Sequence, residues 1–134
     1  VAGVSDLSQM LLDTERRTGG DDSMSSDWWR QSIGDREEDK AAVRAASPAN
    51  LADAVTAPVL LIHGTEDTVV PIEQSRRMQR ALERAGKKVR LVELRGDDHW
   101  LSDAPTRIQM LRETEAFLAE HLPVARPATL PPAK

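Results

Sequence analysis

The sequence predicts an α/β fold of about three parallel strands with flanking helices, and three observations predict it. Val59-Leu60-Leu61-Ile62 is apolar on both faces, the pattern of a strand in a parallel sheet covered by helices. Pro71 then opens a helix whose Met78, Ala81, Leu82 and Ala85 form one stripe, closed by Gly86 as a C-terminal cap. A second apolar run, Val89 to Leu94, is followed by another helical pattern. Strand, helix, strand, helix at these lengths means βαβ units with right-handed crossovers.

The preceding half reads less regularly. Val1 to Val4, small and β-branched, reads as the end of a buried strand. Ser5 or Asp6 caps a helix carrying Leu7, Met10, Leu11 and Leu12, with Gln9 placed to return the capping bond and Arg16-Arg17 at its end. Residues 18–23 are a loop by composition. Asp27 caps a short helix from Trp28 to Ile33, stopped by Gly34. Asp35 with Glu38 signals another helix, running to about Ala46 and ended by Ser47-Pro48. After the regular part, Ser102 or Asp103 opens a last helix with Pro105 in its first turn. Ile108, Leu111, Phe117, Leu118 and Leu122 are its expected buried stripe. Residues 123–134 hold four prolines in twelve positions and read as a disordered tail.

At 134 residues the chain is long enough for one domain with a core. Its net charge of −4, spread along the chain, argues against a nucleic-acid surface, which needs a basic stripe. The longest apolar run is far too short to span a bilayer. Cysteine is absent, which excludes disulfides and thiolate metal sites and leaves the compartment open, a soluble cytoplasmic protein being favoured. The first five residues carry neither a basic n-region nor an initial Met, which predicts that something upstream has been removed. An aromatic content of 3% is low for a complete enzyme and fits part of one.

Two loops carry the chemistry. Gly64-Thr65-Glu66-Asp67 follows the first strand of the regular part, and Arg95-Gly96-Asp97-Asp98-His99-Trp100 follows the second. Ligands of open parallel sheets bind beyond the carboxyl ends of the strands, so Asp67 and His99 can approach each other. An acid followed by a histidine in this order is the end of a Ser…Asp…His triad. A serine hydroxyl is a poor nucleophile until an imidazole takes its proton. The imidazole in turn needs a buried carboxylate on its other nitrogen to hold the tautomer. No Gly-x-Ser-x-Gly occurs in the chain, and Ser5, in Gly3-Val4-Ser5, lacks the second glycine and is rejected as nucleophile.

Other polar and aromatic groups have plainer readings. His63, inside the strand end, reads as a satisfied structural histidine, and His121 as a cation at a helix C-terminus. Asp97-Asp98-His99 are adjacent on one loop and do not converge as metal ligands. Trp28-Trp29 read as buried aromatics, and Gly19-Gly20 lacks the strand-before, helix-after context of a phosphate loop.

From about Val1 to Leu122 the chain resembles the C-terminal part of the catalytic domain of prolyl-oligopeptidase-type serine peptidases. The carriers are Ser47-Pro48, the Pro58 to Asp67 segment, Val70-Pro71 with Gln74-Ser75, and Asp98-His99. The resemblance implies the C-terminal portion of an α/β-hydrolase fold over residues 1–122, lacking the nucleophile elbow. It implies Asp67 and His99 as triad acid and base, with the nucleophile upstream of Val1. No cofactor and no metal are implied. The parent would cleave peptide bonds through an acyl-enzyme, and the 134 residues alone would be inactive. Two departures matter. Thr68 and Val69 stand where many relatives carry a second acid or an Asn. Leu7, Met10 and Leu11 occupy a stretch that often carries aromatics, which predicts an aliphatic pocket for the residue before the scissile bond.

Two alternatives stay open at this point. A carboxylesterase on the same scaffold would carry the same two residues. A non-catalytic domain acting only by assembly has a physical motive, because an unpaired apolar edge near Val1 to Val4 invites another chain. The expected partners are therefore a peptide substrate, the upstream half of the domain, and a second copy, with neither nucleic acid nor membrane.

Overall fold

The computed structural model describes residues 1–18, 24–35 and 37–122. Of the expected loop at 18–23, Thr18 is the last residue of a helix, and the rest, with its Gly19-Gly20, lies outside these residues, as does the expected tail at 123–134. Among them run α1 (Leu7–Thr18), α2 (Met24–Ile33), α3 (Lys40–Ala46), a 3-10 helix (Pro48–Ala54), β1 (Val59–Gly64), α4 (Glu73–Arg84), β2 (Val89–Leu94) and α5 (Ala104–His121).

The two strands are parallel and in register from Val59 opposite Val89 to Gly64 opposite Leu94. Their connection through α4 is the expected βαβ unit. Ala81 and Leu82 of α4 are buried with Ala52 of the 3-10 helix, and Met78, Ala85, Val59 and Val89 pack against them. Gly86 ends the helix region at φ +67°, a left-handed conformation that costs glycine nothing. Arg76 on α4 grips Glu93 on β2 with both prongs, at 2.8 and 2.9 Å.

The structure corrects several expectations. Among the described residues the sheet has two strands, not three. Val1 to Val4 runs beside β1 but joins it by one bond only, from Ala2 N–H to Ile62 O. Ala2 has φ +50°, which turns the chain out of the extended conformation that a ladder needs. In β1 itself Ile62 is buried, whereas Val59, Leu60 and Leu61 are half-buried. The stripe of α5 is not buried either: Ile108, Leu111, Leu118 and Leu122 are exposed. A pair of strand axes lies about 5 Å apart, while a helix is about 10 Å across, so two strands offer α5 only a narrow bed.

The first half also differs in its caps. Asp6 caps α1 by accepting Gln9 N–H at 3.0 Å, but the Gln9 amide turns to Asp13 instead of returning the bond. Asp27 lies inside α2, which begins at Met24. Trp28 is 59% exposed, because α2 meets the rest of the molecule through α1 and presents this ring outward. Asp35 accepts N–H bonds from Glu37 and Glu38, yet these close a turn, and α3 starts only at Lys40.

Buried Gln74 fastens this half to the βαβ unit. Its side-chain oxygen accepts Ser5 N–H at 3.0 Å and Asp6 N–H at 2.8 Å, while its backbone carbonyl accepts the Ser5 hydroxyl at 2.5 Å.

Candidate active site

Register places the site. With Gly64 opposite Leu94, the segments leaving β1 and β2 emerge side by side. They are pressed together: a Cβ on Gly64 would lie 2.4 Å from the Asp97 carbonyl oxygen and 2.8 Å from that of Asp98. Only a glycine permits this approach. The junction is bonded by Thr65 N–H to Leu94 O and Glu66 N–H to Asp97 O, both at 2.9 Å, and by Gly96 N–H to Thr65 Oγ1 at 2.8 Å.

Across this junction His99 Nδ1 stands 2.8 Å from Asp67 Oδ2. The Asp67 side chain is fully buried, and that of His99 is 29% exposed. The other Asp67 oxygen, Oδ1, accepts Val69 N–H at 2.9 Å and Val70 N–H at 2.8 Å. Burial by itself raises the Asp67 carboxyl. The bond to His99 and the two backbone N–H groups outweigh it, so the group sits below the usual carboxylate value of 3.8. Asp67 is therefore an anion facing an imidazole, the arrangement that fixes which ring nitrogen carries hydrogen. With Nδ1–H committed to the carboxylate, Nε2 has the lone pair.

The His99 loop is wound around two acids. Asp98 Oδ1 accepts Trp100 N–H and Ser102 N–H, and Oδ2 accepts the Ser102 hydroxyl at 2.7 Å. The Ser102 hydroxyl is the largest influence holding the Asp98 carboxyl below its ordinary value. Buried Asp97 accepts Asp98 N–H at 3.0 Å and the Thr106 hydroxyl, which ties the loop to the first turn of α5. Leu101 takes φ +54° within this loop, and Trp100 stands edge-on to His99 with ring centres 5.7 Å apart.

Of the expected site residues, the structure brings Asp67 and His99 together. Met10 and Leu11 are buried on α1, which packs against α2 and α3, and Leu7 is half-buried. His63 is fully buried and satisfied: Nε2 meets Val70 O at 2.8 Å and Nδ1 meets Ser75 Oγ at 2.7 Å. His121 stacks edge-on with Phe117 at the end of α5. Among the described residues no group of three His, Asp or Glu is placed to hold a metal ion, and no helix is long and apolar enough to cross a membrane.

Sequence reasoning missed Arg17, whose guanidinium reaches from α1 to the carbonyls of Thr68 and Val69 in the acid loop. Nothing local marks it beyond a basic residue at a helix end. It missed the Gly64–Asp97 approach as well, although a glycine directly after an apolar strand was a visible signal.

The strand-end pair on a parallel sheet is the layout of an α/β-hydrolase. Comparison with known proteins agrees and goes further. The prolyl oligopeptidase family model matches residues 1–124, and the chain belongs to that family of serine peptidases. It is 33% identical over 100 residues to YuxL, an uncharacterised peptidase of Bacillus subtilis (strain 168), covering 72% of this chain and 15% of that protein. The structure of a Mycobacterium tuberculosis puromycin-hydrolysing peptidase matches 95% of this chain and 18% of its own, with a TM-score of 0.80 and 28% identity. The acylaminoacyl peptidase of Pyrococcus horikoshii matches 96% of this chain and 20% of its own, with a TM-score of 0.75; at 24% identity it speaks for the fold. The chain thus spans a fifth or less of these relatives.

Proposed function

We propose that this chain supplies the acid and the base of a serine peptidase, Asp67 and His99, to a nucleophilic serine held elsewhere in the protein. One observation carries the reading: a buried carboxylate holds Nδ1 of a partly exposed imidazole at 2.8 Å. His99 Nε2 takes the serine proton as the oxygen attacks the peptide carbonyl. The same nitrogen returns it to the leaving amine as the C–N bond breaks. Water then attacks the acyl-enzyme by the same exchange in reverse. Asp67 does not take the proton; it steadies the imidazolium that forms.

Family membership supports peptide substrates, and the two residues alone serve an ester equally well, the second reading. On α1, half-buried Leu7 would give the pocket for the residue before the scissile bond an aliphatic wall, with Met10 and Leu11 packed in the core of that half rather than on its surface. The rest of the catalytic domain is the partner expected along the apolar edge near Val1 to Val4.

The test uses the full-length protein with aminoacyl-peptide and short acyl-ester substrates. Asp67→Asn should lower kcat about 10⁴-fold with its fold retained, because the imidazole loses its orienting anion. His99→Ala should abolish turnover and fluorophosphonate labelling. Wild-type rates in both variants would end the reading. Turnover of esters with no measurable cleavage of peptides would select the esterase.

A further inference from the structure

The mechanism leaves one buried histidine unused, and its bonds end at the catalytic carboxylate. We propose that His63 and Ser75 are positioning residues: the His63 ring, held between the Ser75 hydroxyl and the Val70 carbonyl, locks the Asp67–Val70 turn so that Asp67 presents Oδ2 to His99. The proposal rests on Asp67 and His99 being the acid and base.

The hydrogen positions follow from the partners. Val70 O is a carbonyl and can only accept, so the His63 nitrogen 2.8 Å from it, Nε2, carries the hydrogen. Nδ1, on the other side of the ring, is hydrogen-bonded to the Ser75 hydroxyl at 2.7 Å. The ring is 0% exposed and Ser75 is 3% exposed, so bulk water has no access to replace either bond.

Val70 is consequently gripped from both sides. Its carbonyl accepts from His63, and its N–H donates to Asp67 Oδ1 beside that of Val69. With Oδ1 filled, Oδ2 is left for His99. His63 Nε2 also lies 3.2 Å from Asp67 Oδ2, so its N–H dipole favours the anion. The opposite tautomer would aim an Nε2 lone pair at the Val70 carbonyl and at the carboxylate together. Ring, turn or acid would have to move. The Val70 carbonyl sets the choice, and the Ser75 hydroxyl holds the far side of the ring and anchors the arrangement to α4.

Five variants of the full-length protein test this. Ser75→Ala frees Nδ1 and should lower kcat roughly tenfold with KM within about twofold, since misplacing a catalytic group costs turnover and leaves uniform substrate binding intact. Ser75→Thr keeps the hydroxyl and should restore kcat. His63→Gln keeps a donor near Val70 O and should outperform His63→Asn, which loses it. Thermal melting of each variant separates lost positioning from lost fold. A uniform structural role would make kcat follow the folded fraction, with Gln and Asn alike, and that result overturns the proposal. Should His63→Asn not fold, the two Ser75 variants decide alone. Wild-type kcat in Ser75→Ala, with Asp67→Asn inactive, overturns the brace and leaves the acid–base pair standing. Wild-type kcat in Asp67→Asn removes both.

Discussion

At the scale of single residues, the ionisation of Asp67 and the missing side chain of Gly64 matter most. The native Asp67 carboxyl is held below 3.8, so its ionised form favours the folded state. That stability is fully present above the unfolded value and is lost as pH falls through the lower native one. Denaturant unfolding of wild type and Asp67→Asn, followed down the pH scale, should therefore show a gap that closes only below 3.8. A gap that stays constant into strong acid contradicts the assignment. Gly64 makes a different prediction. Its Cβ position lies 2.4 Å from backbone, which cannot swing away as a side-chain tip could. Gly64→Ala should cost about 1–3 kcal/mol of overpacking and pull the acid away from His99. Activity should then fall further than the change in melting temperature accounts for.

At the scale of elements, the loops that carry Asp67 and His99 are held differently. The acid loop is clamped by Val69 and Val70 N–H groups and by Arg17 from α1. The histidine loop is tied down through Asp97, which is 2% exposed and bonded to Thr106 on α5. Asp97→Ala would strand buried donors, at a cost of about 1–3 kcal/mol, and should weaken turnover through a loosened His99. Calorimetric melting with parallel kcat measurement checks both. The Arg76–Glu93 clamp lies near the surface, with both side chains 37% exposed, and Arg76→Ala should cost under about 1 kcal/mol and leave turnover unchanged.

Local pattern reached β1, α4, β2 and the limits of α5, because apolar periodicity and cap residues are short-range signals. It reached the Asp67–His99 pair because both are fixed by counting from strand ends. It could not reach Arg17, whose partners lie more than fifty positions away and meet it only after α1 docks. The same blindness explains α5: its apolar residues are spaced for burial, but spacing is silent on how wide the sheet beneath them is.

At the scale of the whole molecule, the described residues leave apolar side chains uncovered. The outer edge of β1 receives a single backbone bond from residue 2, and α5 exposes Ile108, Leu111, Leu118 and Leu122. Unpaired strand edges and apolar faces favour association. The 134-residue chain prepared alone should self-associate in light scattering and fail to react with a fluorophosphonate. A monomer at high concentration, or a labelled serine within it, would contradict this. The same surfaces should be protected from hydrogen exchange in the full-length protein.

The shared rung of Gly64 and Leu94 has a consequence for how such a protein can vary. Asp67 stands three positions beyond one end of that rung and His99 five beyond the other. Residues added to the turn before β2, around Gly86, would lengthen the interval between the pair without moving either from its partner. One residue added between the rung and either side chain would break their contact. Insertions should thus be tolerated in that turn and forbidden in the two short windows.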